Sequence, residues 1–538
     1  MDTIILSQNI GNFNTPDDTF IKTLYNYHYK LGFRNIVTEN IISLLINYFL
    51  IFFINFLTNC IDYNGLINID EGNHQLGDFI SLSKWFPHNI YLIICFILYV
   101  IYLLCITLNS ITEIKLAYRI KNIYRDKLKI TSKTLNTIDW NTVVGKIRNA
   151  YPDPNLNAYT ITSKIMRQDN IIISIFRSNF IKLNRMSKFL EWNFTYCFVN
   201  SLFTKSGDID ENLLRDYKKR VKRRILIVSI INILALPFAI YIVLIYSIIK
   251  YGEKFYHNPE LISKRLLTIK SRWRLRYYNE LPHQFHRRIN DCNVIVEKLI
   301  NNQKNIILNI VVRFIAFVIG SFFILLLALS IINDDILTDC YVFKNRNVLW
   351  TMGILGTLLL LIKKAIHLNT DITPEKEDEM YKKLSTKLGS INPIWFETDM
   401  RKKCLNLMMN VFQKKLLFVF YEILYLVISP YYLYVWYHQI DLTHQKIIGL
   451  LEQHYILGYV SSKSIFTNIN IISKEPHSFA SLSEFKNNNP EWESIISWYQ
   501  NLSDTNIIEN FNWDDVESPL LMNTQINENL NSTILINS

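Results

Sequence analysis

Six stretches of this chain are apolar over helical lengths: Ile36–Thr58, Ile90–Leu108, Ile225–Ile249, Val311–Ile332, Val348–Ile362 and Leu416–Tyr437. Long polar and charged blocks separate them. Crossing a hydrocarbon core of about 30 Å takes about 20 helical residues at about 1.5 Å each, so the pattern predicts an all-α, multi-pass membrane protein. Two runs contain a proline where a span would be straight. Pro237 divides the third run into two arms of twelve residues, about 18 Å each. Ser429-Pro430 interrupts the last run after Leu416–Ile428, about 20 Å along its axis. Both runs are expected to be re-entrant hairpins that enter the bilayer and return. A proline-kinked span is the alternative, and for the last run the two readings stand level.

Loop charge supports the hairpin for the third run. Lys and Arg close to membrane helices stay on the cytoplasmic side. Segment 59–89 carries only Lys84, and segment 333–347 only Lys344 and Arg346, which makes these the lumenal loops. Segment 250–310 has twelve Lys/Arg, and segment 109–224 is also basic, ending in "YKKRVKRR". A crossing at Ile225–Ile249 would place these two blocks on opposite faces. A run that enters and returns keeps both cytoplasmic.

The expected organisation is a cytoplasmic arm (1–35), two transmembrane helices (36–108) joined by the lumenal loop 59–89, and a helical cytoplasmic segment (109–224). A hairpin (225–249), a basic cytoplasmic segment (250–310) and the third and fourth transmembrane helices (311–362) follow. A further cytoplasmic segment (363–415), the second hairpin (416–437), a C-terminal cytoplasmic segment (438–500) and a disordered tail (501–538) complete the chain. Both termini are then cytoplasmic. The N-terminus "MDTIILSQNIGNFNTPDD" lacks a basic region followed by an apolar one, so no cleaved signal peptide is expected.

Composition refines the picture in three ways. Half of the residues are hydrophobic and the mean hydropathy is +0.11. The net charge is +11, yet residues from Lys463 onward hold three Lys against ten Asp/Glu, or −7, which leaves +18 on the remainder. A basic body beside apolar runs fits anionic headgroups, and no nucleic-acid motif is present. The seven cysteines have no metal-ligand spacing, so no metal or other cofactor is expected. Cys60 and Cys340 fall on the lumenal side and pair only if the fold brings them together.

Several residues are too polar for a lipid-facing position and are candidates for a polar furrow: Ser43 and Asn47, four apart on one helical face, then Asn232, Arg313, Thr351, Thr357 and Glu422. Helix–helix hydrogen bonding is the competing role for the Ser, Thr and Asn positions, and snorkelling for Arg313. Glu422, six residues into its run, is the leading candidate. The stretch "RYYNELPHQFHRRIN" (Arg276–Asn290) extends a basic block in which Arg272, Arg274, Arg276, Arg287 and Arg288 alternate with aromatic rings. These arginines are candidate headgroup contacts collaring a cytoplasmic mouth, with a solvated charged face as the alternative. Asn279, Glu280 and His283 beside Pro282 fit a turn or a subunit contact.

Two rival chemistries are also legible. His286 and Asp291 have the His-x4-Asp spacing of glycerolipid acyltransferases, in which the carboxylate orients a general base, but no accompanying acyltransferase block is present. "EWESI" (Glu491–Ile495) and "NWDDV" (Asn512–Val516) have the acidic-flanked W-x-x-hydrophobic form of peptides that bind ubiquitin-like modifiers, which would suit a vesicle scaffold.

"RYYNELPHQFHRRIN" resembles the signature "FNELPHxFxxRLN" of the autophagy-related protein 9 family, including Asn279, Glu280, Leu281, Pro282 and His283. Collinear with it, "FLTNCIDY" (Phe56–Tyr63), "RFIAFVIGSFFILLLALSIINDDIL" (Arg313–Leu337), "VLWTMGILG" (Val348–Gly356), "FVFYEILYLVISPYYL" (Phe418–Leu433) and "SLSEFKNNNPEW" (Ser481–Trp492) are similar to further motifs of that family. The chain departs from the family pattern at Tyr256-His257-Asn258 before Pro259 and at "INPIW" (Ile391–Trp395). The resemblance implies four spans and two partly inserted hairpins per protomer, a homotrimer, and ATP-independent phospholipid scrambling on autophagosome-precursor vesicles derived from Golgi and endosomes. It also implies a bridge-like lipid-transfer partner.

Overall fold

The computed structural model describes residues 17–67, 76–81, 83, 85, 90–153, 155–178, 186–204, 206–257, 264–302, 306–332, 340–343, 346–367, 373–388, 400–466 and 476–489. The tail beyond residue 489, "INPIW", Pro259, Lys84 and Lys344 lie outside them. The chain divides into two units. The first comprises Met1–Ile249, Ile269–His286 and Phe420–Ser538, and the second Lys250–Thr268 and Arg287–Val419.

The longer helices in chain order are α1 Asp18–Tyr29, α2 Phe33–Asn55, α3 Ile90–Asp126, α4 Trp140–Ala150, α5 Ala158–Arg177, α6 Lys188–Cys197, α7 Tyr217–His257, α8 Pro282–Asn301, α9 Ile306–Ile332, α10 Val348–His367, α11 Pro374–Lys387, α12 Arg401–Val411, α13 Lys415–His438, α14 Ile440–Ile448 and α15 Pro476–Asn488. By length and composition, four helices in the described residues are able to cross a membrane: Phe33–Cys60, Phe96–Asp126, Ile310–Ile332 and Leu417–His438. Val348–Leu360 is a shorter apolar helix.

The expectation that proline breaks the third and last runs is not met. α7 runs uninterrupted through position 237, and Pro430 lies inside α13. Proline removes one amide donor and leaves one carbonyl without its helical partner. Abandoning the helix within an apolar run would strand several more backbone groups, so continuing it is the smaller loss.

In the first unit, α5 is the common axis. Its N-terminus is closed by a capping box in which Asn157 accepts from the Thr160 amide at 2.8 Å and Thr160 accepts from the Asn157 amide at 2.9 Å. Its earlier apolar residues, Ile161, Ile165 and Met166, pack with α1, α4 and the end of α3. Its later ones, Ile171, Ile172, Ile173, Ile175 and Phe176, pack with α6, the start of α7, Trp273, Tyr278 and the end of α13. α2 and α3 run antiparallel, with Asn40 donating to Glu113 at 3.3 Å and Tyr48 hydrogen-bonded to Thr107 at 3.2 Å. "FLTNC" adopts a single π-helical turn at the end of α2, where Asn59 donates to Asn55 at 2.7 Å.

In the second unit α9 packs on α10. The Phe323 ring of α9 lies beside Gly356 of α10, where a Cβ would make an ordinary van der Waals contact at 3.4 Å. Strand β1 (Arg265–Leu267) pairs antiparallel with β4 (Phe412–Lys414), and β2 (Tyr341–Phe343) with β3 (Arg346–Asn347). In the first unit β5 (Leu451–His454) and β6 (Gly458–Ser461) form a hairpin. Cys60 and Cys340 are both free thiols.

Candidate functional site

A polar seam runs where α13 passes α6 and α7, and it is built from the ends and middles of apolar helices. α6 begins at Ser187, whose hydroxyl accepts from the Leu190 amide at 3.1 Å. The next orphan donors of that helix, the amides of Lys188 and Phe189, point at Glu422 Oε1 at 2.8 Å and Oε2 at 3.5 Å. A carboxylate at a helix N-terminus satisfies unpaired N–H groups and meets the positive end of the helix dipole. Two turns along α13, the fully buried Ser429 hydroxyl accepts from Asn193 of α6 at 3.2 Å and from Asn232 of α7 at 3.0 Å. Glu422, Ser429, Asn193 and Asn232 thus bind three helices by polar contacts. On the outer side of α7, Leu226, Ile227, Ile230, Ile231, Ile233 and Leu234 are exposed.

Glu422→Ala is expected to loosen the first turn of α6 by about 1–2 kcal/mol, the usual loss on removing a capping acceptor. Glu422→Gln, which keeps one amide acceptor, is expected to lose less. Hydrogen exchange of the Lys188 and Phe189 amides measures this directly, and unchanged protection in Glu422→Ala would reject the capping role.

The arginine-rich stretch occupies a different place from the one expected. Arg274 and Arg276 are buried in the first unit, and Arg288 is buried in the second. Arg276 pairs with Asp169 at 3.0 Å and donates to the Glu280 carbonyl at 3.3 Å, between the rings of Trp273 and Phe285. Arg274 donates to the Phe176 carbonyl at 3.3 Å, and Arg288 to the Lys387 carbonyl at 3.0 Å. Their charges are held by protein acceptors, so these three are not the headgroup collar. Arg272 is half-buried on Glu191, which also accepts from the Trp273 indole at 2.6 Å. Arg287 is exposed.

The stretch is instead a buried joint. Asn279 has φ +56°, a left-handed conformation that asparagine tolerates better than most residues. Its side chain accepts from Asn170 at 2.8 Å and Ser163 at 3.2 Å and donates to the Ser464 carbonyl at 3.0 Å, while its amide donates to Asn170 at 3.0 Å. Glu280 accepts from the Tyr277 amide at 3.0 Å. His283 is hydrogen-bonded to Tyr25 of α1 at 2.9 Å, Leu281 is buried, and Pro282 opens α8, where its missing amide costs nothing.

The partners come from a stripe on α5 that sequence reading missed. Ser163, Arg167, Asn170 and Ser174 recur at intervals of four, three and four, on one helical face, and all are buried. Ser174 meets the Tyr278 hydroxyl at 3.2 Å. Arg167 lies 2.9 Å from Asp18, 3.0 Å from Asp208, and donates to the Leu457 carbonyl at 2.6 Å. The Arg167 and Asp18 atoms are close but misaligned for a hydrogen bond. Burial raises the Asp18 carboxyl to about 7, against the opposing pull of Arg167. The seven-residue spacing of Ser163 with Asn170 and of Arg167 with Ser174 was the available signal.

The remaining furrow candidates divide. Asn47 donates to the Ser43 carbonyl at 2.7 Å on an exposed face of α2. Arg313 is exposed on α9. On α10, Thr351 is buried and donates to the Asn347 carbonyl at 3.0 Å, and Thr357 is exposed and donates to the Ile354 carbonyl at 2.8 Å. Asp291 is ion-paired with Lys387. Among the described residues no cluster of His, Cys, Asp and Glu is arranged to hold a metal.

The family model described as "Autophagy protein ATG9" matches residues 8–467. The autophagy-related protein 9 of Pichia angusta is 27% identical over 501 residues, covering 86% of this chain and 55% of that protein. The Dictyostelium discoideum relative is 27% identical over 368 residues, with 65% and 52% covered, and that of Schizosaccharomyces pombe is 22% identical over 535 residues, with 92% and 71% covered. The chain spans about half the length of the first two relatives. The cryo-EM structure of Schizosaccharomyces pombe Atg9 has a TM-score of 0.61 at 21% identity, covering 84% of this chain and 98% of that one, which shows a shared fold. The matched region takes in all six apolar runs, the seam and the joint around Asn279, and the chain belongs to the autophagy protein ATG9 family.

Proposed function

We propose that this protein is an ATP-independent phospholipid scramblase of autophagosome-precursor vesicles, which equilibrates lipid between leaflets while the membrane grows. The observation that carries this reading is Glu422, a half-buried carboxylate on α13 at the end of a polar seam set among helices with apolar outer faces. A headgroup crosses a bilayer slowly because leaving water without new partners costs several kcal/mol for each polar group. Polar side chains held at membrane depth lower that barrier, and no bond-making chemistry or fuel is required. The proposed setting is a multi-pass homotrimer in preautophagosomal structures and Golgi- or endosome-derived vesicles, with both termini cytoplasmic. A bridge-like lipid-transfer protein would supply the lipid, and the C-terminal tail would contact ubiquitin-like modifiers.

Purified protein in liposomes is expected to expose inner-leaflet fluorescent phospholipid to an impermeant quencher without ATP. Glu422→Gln removes the carboxylate's charge and is expected to slow exchange about tenfold, equivalent to about 1.4 kcal/mol of barrier. Quenching that is equal with and without protein would leave a vesicle scaffold, whose role is recruitment alone.

A further inference from the structure

α6 carries an exposed aromatic and cationic face that the seam does not use. Lys188, Trp192 and Tyr196 are spaced four apart on one side of this helix. Trp192 is 57% exposed. Its indole stacks on Tyr196, with centroids 5.5 Å apart and ring planes 10° from parallel. The Arg224 guanidinium sits 5.0 Å from the Tyr196 ring centroid and donates to the Tyr196 carbonyl at 2.8 Å. Arg224 is the last charged residue before the apolar run of α7, and the exposed Leu226, Ile227, Ile230 and Ile231 follow it directly. Arg223 is exposed beside it, and Lys222 lies 5.6 Å from the Tyr437 ring centroid.

An exposed indole is poorly placed in water, and so is the apolar surface that continues from it. Indole and phenol rings partition to the headgroup layer, where the ring is apolar and its N–H or O–H still finds an acceptor. Lysine and arginine at that depth gain from anionic phosphate. We propose that Lys188, Trp192, Tyr196 and Arg224 form a docking face for the headgroup layer of an anionic phospholipid bilayer, holding α6 flat against the interface where α7 enters the membrane. The assignment rests on reading α7 as membrane-inserted, but it is independent of lipid exchange. Fixing α6 there also fixes the backbone donors that hold Glu422.

Tryptophan emission of the full chain and of Trp192→Phe, in nanodiscs of phosphatidylcholine with or without phosphatidylserine, tests this. The wild-type minus variant difference reports Trp192 alone. It is expected to lose most of its intensity to a nitroxide on the lipid headgroup and little to aqueous acrylamide. Phosphatidylserine is expected to strengthen the nitroxide effect, and Lys188→Gln to remove that increment. Strong acrylamide quenching in the nanodisc would place Trp192 in water and overturn the proposal in favour of a protein partner. Protection from both quenchers would place it against a second copy and would overturn it too. Failure of scrambling in liposomes, with the nitroxide result intact, would sink the transport reading and leave the docking face standing.

Discussion

Asn279→Ala is expected to destabilise the first unit by about 3–4 kcal/mol. The substitution deletes three side-chain hydrogen bonds, to Asn170, Ser163 and the Ser464 carbonyl, each worth about 1 kcal/mol when buried. It also asks a Cβ residue without a local polar side chain to hold φ +56°, a further cost of about 1 kcal/mol. Part of the sum is recovered as Ser163 and Ser464 keep other partners. Asn279→Gly separates the two contributions, because glycine adopts this backbone freely and still lacks the amide. Thermal unfolding in detergent should therefore rank wild type above Asn279→Gly, and Asn279→Gly above Asn279→Ala. A melting temperature for Asn279→Ala equal to that of wild type would mean that the joint contributes nothing to stability.

Arg167→Met is expected to destabilise by about 3 kcal/mol near neutral pH, because it leaves the buried Asp18 carboxyl with only the Lys164 ammonium, 3.9 Å away, as a cationic partner. Asp18 is only 5% exposed, and Arg167 3%. A carboxyl raised from 3.8 to about 7 in the folded protein binds its proton more tightly folded than unfolded. Its contribution to stability is therefore full below the unfolded value and is lost as pH rises through about 7. Removing Arg167 raises that carboxyl further, so the variant should lose stability on going from pH 6 to pH 8 more steeply than wild type. Asp18→Asn should flatten the dependence in both backgrounds and rescue much of the Arg167→Met deficit. A double-mutant cycle measured at the two pH values would detect this, and additive losses with no pH dependence would refute the coupling.

The helical membrane class was legible because apolar runs of span length are a one-dimensional signal. α2, α3 and α9 fall where hydropathy places them. The continuity of α7 and α13 was not legible, because a proline in an apolar run is compatible with a kink, a turn or an unbroken helix. Which of these forms depends on neighbours such as Asn193 and Asn232 on Ser429. The basic stretch misled for a related reason. Arg274, Arg276 and Arg288 look like surface charge until the carbonyls of Phe176, Glu280 and Lys387 are brought to them, and none of those acceptors is marked in the sequence. Glu422 was conspicuous as a carboxylate in an apolar run. Its partners, two amides at the start of α6, have no side-chain signature at all.

The polar face of α5 has a consequence for biogenesis. Its ligands are supplied by Asp18, Asp208, Asn279, Leu457 and Ser461, so the last of them leave the ribosome some 300 residues after Asn170. Contacts of such sequence separation close late. The apolar helices in the described residues are all made before Leu457 emerges, so a nascent chain stalled ahead of it would hold α5 with Arg167 and Ser174 short of their partners at Leu457 and Ser461.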